Sequence, residues 1–153
     1  EIGQLRALGV FTDLTVPGLV VEELRIYGLD PVSLGVPGLN VSVVPVDEAR
    51  RNRMLTEGGE PPLHPADAEV FVLAHDDGFQ KPVLTDDLAL RRRLEASGAV
   101  VTGSIGILVR ACKTGWLTRA QLESAVDALF TDSTLHLSRA FRAYVRQLLA
   151  GLL

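Results

Sequence analysis

Residues 82–108 read PVLTDDLALRRRLEASGAVVTGSIGIL. Pro82 to Thr85 is a short apolar run that stops at two acids, as a strand does on reaching the edge of a sheet. From Leu88 to about Ala96 the apolar residues recur at helical spacing, with Asp87 placed to cap the first turn and Gly98 placed to end the last. Ala99 to Thr102 is a second apolar run, and a helix is predicted from about Ser104 to Thr114, closed by Gly115. Strand, helix, strand, helix is the pattern of a parallel sheet flanked by helices, so the expected class is α/β.

Upstream, Pro65 suits the first position of a helix reaching about His75, and Val70 to Ala74 is apolar on all sides, which predicts a buried helix. Leu14-Thr15-Val16 reads as a strand closed by Pro17-Gly18, Leu19 to Tyr27 as a helix, Gly28 to Gly38 as a connection, and Val41 to Val46 as a strand. The spacing of Ile2, Leu5 and Leu8 reads as the tail of a helix. Residues 47–62, with Glu-Ala-Arg-Arg-Asn-Arg and then Gly58-Gly59-Glu60-Pro61-Pro62, are expected to be a mobile loop. Downstream, Thr118 and Gln121 form a capping box ahead of Leu122, Val126 and Leu129, and Ser138 can cap a last amphipathic helix carrying Phe141, Val145, Leu148 and Leu152. Residues 118–153 are thus read as C-terminal helices on a single domain spanning 1–153.

Composition narrows the function. The 153 residues are 47% hydrophobic and 22% charged, an ordinary globular profile without repeats or low-complexity tracts. No apolar run approaches the roughly 18 residues that span a bilayer, so no membrane partner is expected. The single cysteine, Cys112, offers neither an internal disulfide nor a metal pair, and fits a reducing, cytoplasmic setting. A net charge of −4 argues against a passive nucleic-acid binder, though not against a nuclease whose bound cations offset the acids. The chain opens at Glu1 rather than a methionine, and residues upstream of it are expected to be missing.

In an open parallel sheet, sites form at the carboxyl ends of strands. Thr85-Asp86-Asp87 and Thr102-Gly103-Ser104 would share one such edge. Asp67 and Glu69 open the apolar helix before this unit, and Glu22-Glu23 lie on the helix after the first strand. Clustered carboxylates repel and call for a role or a counter-charge. All-oxygen donors of this kind suit Mg²⁺ or Mn²⁺ and phosphate hydrolysis rather than zinc chemistry. Plainer readings stand beside these. Asp86 or Asp87 before a helix is by default an N-cap, Asp67 in a first turn complements the helix dipole, and Glu22 is an exposed helix residue. Glu69, beside a continuous apolar run, is harder to explain as solvated surface. Thr102 to Gly106 is read as a plain strand-to-helix turn before a phosphate cradle, and Arg91-Arg92-Arg93 as a solvated helix face. His64, His75 and His136 lack any ligand spacing.

Several of these segments together resemble one family. Val16-Pro17-Gly18-Leu19-Val20-Val21-Glu22-Glu23-Leu24 looks like the strand, proline and Glu-Leu-bearing helix of PIN domains. Leu63-His64-Pro65-Ala66-Asp67-Ala68-Glu69 resembles the helix that bears the family's central acid. Val83-Leu84-Thr85-Asp86-Asp87, then Arg92, Gly98 and Val101 to Leu108, is similar to a branch of prokaryotic PIN-like predicted nucleic-acid-binding proteins. Eighteen positions separate Glu69 from Asp87, a separation typical of the family's last two acids. The resemblance covers about Leu14 to Leu149.

It implies a three-layer α/β/α fold around a central parallel sheet, with Mg²⁺ or Mn²⁺ held by Glu23, Glu69 and Asp87, the catalytic acids. Asp86 is a neighbouring metal ligand, Thr102 or Ser104 a hydroxyl contact to water or phosphate, and Asp67 the substitute for Glu69 if the helix register shifts. The implied activity is hydrolysis of single-stranded RNA, often as a toxin held by an antitoxin-like protein. The C-terminal helices offer a homodimer surface, the expected assembly. In PIN domains a first strand ends in Asp, and the chain starts too late to include it, so a chain lacking that strand and ligand is expected to be impaired. The alternatives are a non-catalytic PIN-like module that docks RNA or protein, suggested by the net charge and the absent first acid, and a metal-dependent phosphatase acting on small esters.

Overall fold

Proline and glycine punctuate the chain where its direction changes, and the segments between them form two kinds of element. In this computed structural model they are, in order, β1 (Asp13–Pro17), α1 (Gly18–Ile26), β2 (Asn40–Val44), α2 (Glu48–Glu57), α3 (Pro65–Asp76), β3 (Val83–Leu84), α4 (Leu88–Ala96), β4 (Val101–Thr102), α5 (Ser104–Lys113), α6 (Arg119–Thr131) and α7 (Arg139–Ala150). The described residues are 4–57, 59–131 and 138–151, with the side chain of Arg139 excepted. Ile2, Gly58, His136 and Leu152, named above, lie outside them.

Both strand pairings are parallel. β1 lies beside β2 from Asp13↔Asn40 to Pro17↔Val44, and β3 lies beside β4 through Val83↔Val101 and Leu84↔Thr102. A parallel pair needs a crossover, which α1 supplies for the first and α4 for the second. Among the described residues the two pairs are separate two-stranded ladders. The expected α/β class with parallel strands is the observed one.

The chain divides into two compact units, Phe11–Ser104 and the combination of Glu1–Val10 with Ile105–Leu153. In the larger unit α3 is central, packing against α1, α2, α4 and β1. Pro65 opens α3 without losing a bond, because the first N–H of a helix has no intrahelical partner. Ala66, Ala68, Glu69 and Val72 are buried on this helix, and no residue from Val70 to Ala74 is exposed. Leu90 and Leu94, one turn apart on α4, meet Leu63, Ala68 and Ala99 in the core of that unit. The smaller unit is built on Leu108, Ala111, Leu122, Val126, Leu129 and Val145. Its helices start as their sequences predict. Thr118 N–H donates to Gln121 Oε1 at 2.8 Å while Gln121 N–H donates to Thr118 Oγ1 at 3.2 Å, and Ser138 Oγ accepts from Phe141 N–H at 3.1 Å. Among the described residues no helix is long and apolar enough to cross a membrane.

Three expectations are corrected. Residues 47–62 are not all loop, since Glu48–Glu57 is helix α2. Asp47 Oδ1 accepts the Arg50 N–H at 3.1 Å to start it, and the Arg50 guanidinium grips both oxygens of Asp76 on α3. That contact holds the Arg50 pKa above and the Asp76 pKa below their ordinary values. Helix α2 has no fully buried residue; Met54 and Leu55 pack partly buried against the core of the larger unit, and the Arg50–Asp76 pair adds an exposed contact to α3. The N-terminal segment is a 3-10 helix over Leu5–Val10 whose buried residue is Ala7, rather than a helix burying Leu5 and Leu8. The arginine triplet is not simply a solvated face. Arg93 Nη2 donates to the carbonyls of Gly59 and Pro61, and Arg91 Nη2 donates to the Thr85 carbonyl at 3.3 Å. Arg92 alone is exposed.

Candidate functional site

The parallel ladder β3–β4 sets Thr85-Asp86-Asp87 and Thr102-Gly103-Ser104 along one edge, with the Thr85 N–H donating to the Thr102 carbonyl at 3.1 Å. Asp86 crosses from one strand end to the other. Its Oδ1 accepts the Ser104 N–H at 2.9 Å and its Oδ2 accepts the Ser104 hydroxyl, so this acid ties down the first residue of α5. The approach depends on Gly103. A Cβ there would lie 2.5 Å from Asp86 Oδ1 and 3.0 Å from Arg91 Nη2. Gly103→Ala is accordingly expected to push Asp86 off Ser104 and cost about 1–3 kcal/mol, the usual range for overpacking. A urea midpoint equal to that of the parent chain would mean the turn adapts without loss.

Asp87 begins α4. Its Oδ1 accepts the Leu90 N–H at 2.7 Å and its own N–H donates to Thr85 Oγ1 at 3.0 Å. The cap uses one carboxylate oxygen; among the described residues Oδ2 has no hydrogen-bond partner, and Asp87 is exposed. The sequence left cap and ligand open for this residue, and the cap is present with the second oxygen still available.

Glu69 and Asp67, two positions apart on α3, have different surroundings. Glu69 is 2% exposed. Its Oε2 accepts the Leu19 N–H at 2.8 Å and its Oε1 meets Arg51 Nη1 at 3.2 Å. Pro17 at the N-cap of α1 makes no side-chain cap bond, so Glu69 supplies from α3 the acceptor that the first turn of α1 lacks locally. Both oxygens of this buried acid are thus engaged within the protein, and Arg51 is its counter-ion.

Asp67 is only partly buried, and its environment is the opposite one. Burial first, and then the negative charge of Asp87, holds its carboxyl above the ordinary carboxylate pKa; Glu23 adds to the push and His64 opposes it. Three acids from α1, α3 and the start of α4 therefore share one electrostatic field: Glu23, Asp67 and Asp87. Asp67, kept in the sequence analysis as the substitute for Glu69, is the acid of α3 that the fold brings toward Asp87. Among the described residues no three His, Cys, Asp or Glu side chains converge as a finished metal-binding group. A cavity of about 360 Å³ lined by Arg50, Arg53, Phe71 and His75, among others, contains none of the three acids.

The raised Asp67 pKa has a pH consequence. The folded state holds this proton more tightly than the unfolded chain does. The associated stability is full below the ordinary value of 3.8 and is lost as pH rises through the raised value. At neutral pH the ionised Asp67 opposes folding. Asp67→Asn is expected to melt at a higher temperature than the parent chain at neutral pH, with the difference closing below pH 3.8. A difference independent of pH would remove the repulsion argument.

A family model described as a PIN domain matches residues 1–150. The chain belongs to the PIN-domain family. PIN domains are nuclease-like modules that generally use divalent metals, and the α/β fold with parallel strands agrees with that membership. No curated protein and no solved structure matches the chain.

In this PIN domain the donors fit a hard divalent cation in chemistry. They are carboxylate oxygens, one is raised in pKa by burial and then by neighbouring acids, and one of the others keeps an oxygen unbonded among the described residues. Of the acids and hydroxyls proposed from sequence, Glu23 and Asp87 share the field of Asp67, Asp86 and Ser104 bond each other, and Glu69 bonds the Leu19 N–H and Arg51. Thr102 contributes its carbonyl to the ladder. Arg51 was missed as a functional neighbour because it lay in the supposed loop. A signal was present: Glu48 and Arg51 are three apart and pair at 3.5 Å, as charges on a helix do.

Proposed function

We propose that this PIN domain serves a metal-dependent ribonuclease that hydrolyses phosphodiesters of single-stranded RNA, with Glu23, Asp67 and Asp87 as the acids that hold Mg²⁺ or Mn²⁺. The observation that carries this reading is the match to the PIN-domain family over residues 1–150; the Asp67 carboxyl, pushed up by burial and by the charges of Asp87 and Glu23, supports the choice of acids. Acids held together against repulsion are stabilised by a cation that neutralises them. A divalent ion there would supply Lewis acidity to a phosphoryl oxygen and acidify a water.

The protein's own part is placement. Glu69 and Arg51 fix the start of α1, which carries Glu23 further along. Asp86 and Ser104 fix the turn beside Asp87. In this reading Glu69 and Asp86, expected as ligands from sequence, hold the frame and Asp67 takes the place of Glu69. The role that goes with this chemistry is a cytoplasmic toxin restrained by an antitoxin-like protein.

A second reading, a non-catalytic module that docks RNA or protein, is favoured by the lack of a finished metal group among the described residues. Calorimetric titration of Mn²⁺ separates the two. Saturable binding by the parent chain that weakens about tenfold or more in Asp67→Asn, with EDTA-sensitive cleavage of single-stranded RNA, supports the ribonuclease. Absence of both leaves the docking module.

A further inference from the structure

The cavity of about 360 Å³ lies between α2 and α3, within the larger unit, and its volume falls in the roughly 300–1,000 Å³ range of small-ligand sites. Met54, Phe71 and Val72 give it an apolar lining. Arg50, Arg53 and His75 supply its donors, and Glu57 is its one acid. Phe71 and His75 each stand edge-on to Phe79, with ring centroids 5.7 and 5.8 Å from it, so a third ring braces both.

Charge and position both say what this cavity suits. Phe11–Ser104 has fifteen Asp and Glu against eight Lys and Arg, so an arginine without a partner is unusual there. Six of the eight cations pair with an acid or, for Arg93, with backbone carbonyls. Among the described residues the Arg53 and Arg92 side chains have no such partner, and Arg53 lines the cavity while the Arg50 charge is already matched by Asp76. Along α3, Asp67, Phe71 and His75 follow at intervals of four. Each interval turns the side chain by only about 40° and advances it by about 6 Å, so the cavity continues the side of α3 that carries Asp67. At the roughly 3.4 Å per nucleotide of a stacked strand, that distance of about 6 to 12 Å is about two to four nucleotides.

We infer that the cavity between α2 and α3 is a nucleotide subsite for the RNA strand, in which one base lies against Phe71 and Met54 and its phosphate pairs with Arg53. The choice of ligand rests on the ribonuclease reading. Contact of a base with an aromatic side chain and a charge-assisted bond from guanidinium to phosphate are the two means by which unpaired strands are held. Both are present here in one concave site. His75 adds a donor beside Arg53, and Glu57 offers an acceptor to a base amino group. One base seated here would fix the strand a few nucleotides from the acids, which positions the substrate without touching the reacting phosphate.

Met54 is the only methionine of the chain, so methyl-labelled methionine gives one NMR signal inside the cavity. The test titrates cytidine 5′-monophosphate into the labelled full chain in EDTA. A saturable shift of the Met54 methyl is expected, weaker with cytidine, which lacks the phosphate, and with inorganic phosphate, which lacks the base. Arg53→Ala should weaken binding about tenfold, and Phe71→Leu, which keeps an apolar side chain but loses the ring, about fivefold or more. Arg92→Ala, the other unpaired arginine, should bind as the parent does. Circular dichroism melting of each variant checks that the fold is retained. In RNA cleavage with Mn²⁺, Arg53→Ala should raise KM and leave kcat near the parent, because the contact is the same before and during the reaction. No saturable shift, equal affinity for inorganic phosphate, or equal losses in Arg53→Ala and Arg92→Ala would each overturn the subsite. Cleavage with an unchanged KM in Arg53→Ala would overturn it too and leave the ribonuclease standing. Nucleotide binding that depends on Arg53 in a chain without metal-dependent cleavage would support the subsite and remove the ribonuclease.

Discussion

Glu69→Ala is expected to destabilise the protein by about 3–5 kcal/mol, enough to unfold a marginal domain, because it leaves a charge without its partner inside the fold. The Arg51 side chain is 18% exposed and would keep only the Glu48 carboxylate, 3.5 Å away and itself exposed. The Leu19 N–H would lose its acceptor at the start of α1, where Pro17 makes no side-chain cap bond. Glu69→Gln keeps an oxygen for Leu19 while removing the ion pair, so its midpoint should fall between the parent and the alanine variant. Arg51→Ala should lose less on top of Glu69→Ala than alone, since the pair is already broken. Guanidinium unfolding checks the series. A parent-like midpoint for Glu69→Ala, with Mn²⁺ binding lost, would make Glu69 a ligand after all.

Asp87→Asn should lose Mn²⁺ affinity and RNA cleavage by about 100-fold or more while keeping the stability of the parent chain. One side chain does two separable jobs here. Asparagine caps a helix as well as aspartate does, so the bond from Leu90 N–H to Oδ1 can persist. What disappears is the negative charge and the unbonded carboxylate oxygen. Asp87→Ala removes the cap as well and should cost about 0.5–2 kcal/mol in addition to the activity. In Asp87→Asn the Asp67 pKa should also move down toward its ordinary value, because one of its two repelling neighbours is gone and burial remains. Carboxyl titration by NMR reads that shift. Unchanged cleavage in a stable Asp87→Asn would exclude this acid from the reaction; loss of stability in both variants alike would reduce it to a cap.

The two experiments divide the acids by what each one does. Glu69 is expected to act on stability and Asp87 on chemistry, although both were proposed as ligands from the same spacing. Asp86 belongs with Glu69, since both of its oxygens are held by Ser104 and the Gly103 turn admits it only for want of a Cβ.

The residues from 82 to 108 determined much by themselves. Short apolar runs stopped by acids, a capping Asp87, a closing Gly98 and the polar turn at Gly103 specify strand, helix, strand, helix locally, and local signals survive any packing. The caps at Thr118 and Ser138 were legible for the same reason. Helix α2 was not. Its local signals, the Asp47 acceptor and the Glu48–Arg51 pair, are weak beside the Gly- and Pro-rich stretch that follows, and its anchors, Met54 and Leu55 on the core of the larger unit and Arg50 on Asp76, join residues far apart in sequence. The choice between Asp67 and Glu69 was equally out of reach of spacing. Two positions along an α-helix turn the side chain through about 200°, onto nearly opposite faces. Either acid fits a motif measured along the chain, and only the packing of α3 decides which meets Arg51 and α1 and which feels Asp87 and Glu23.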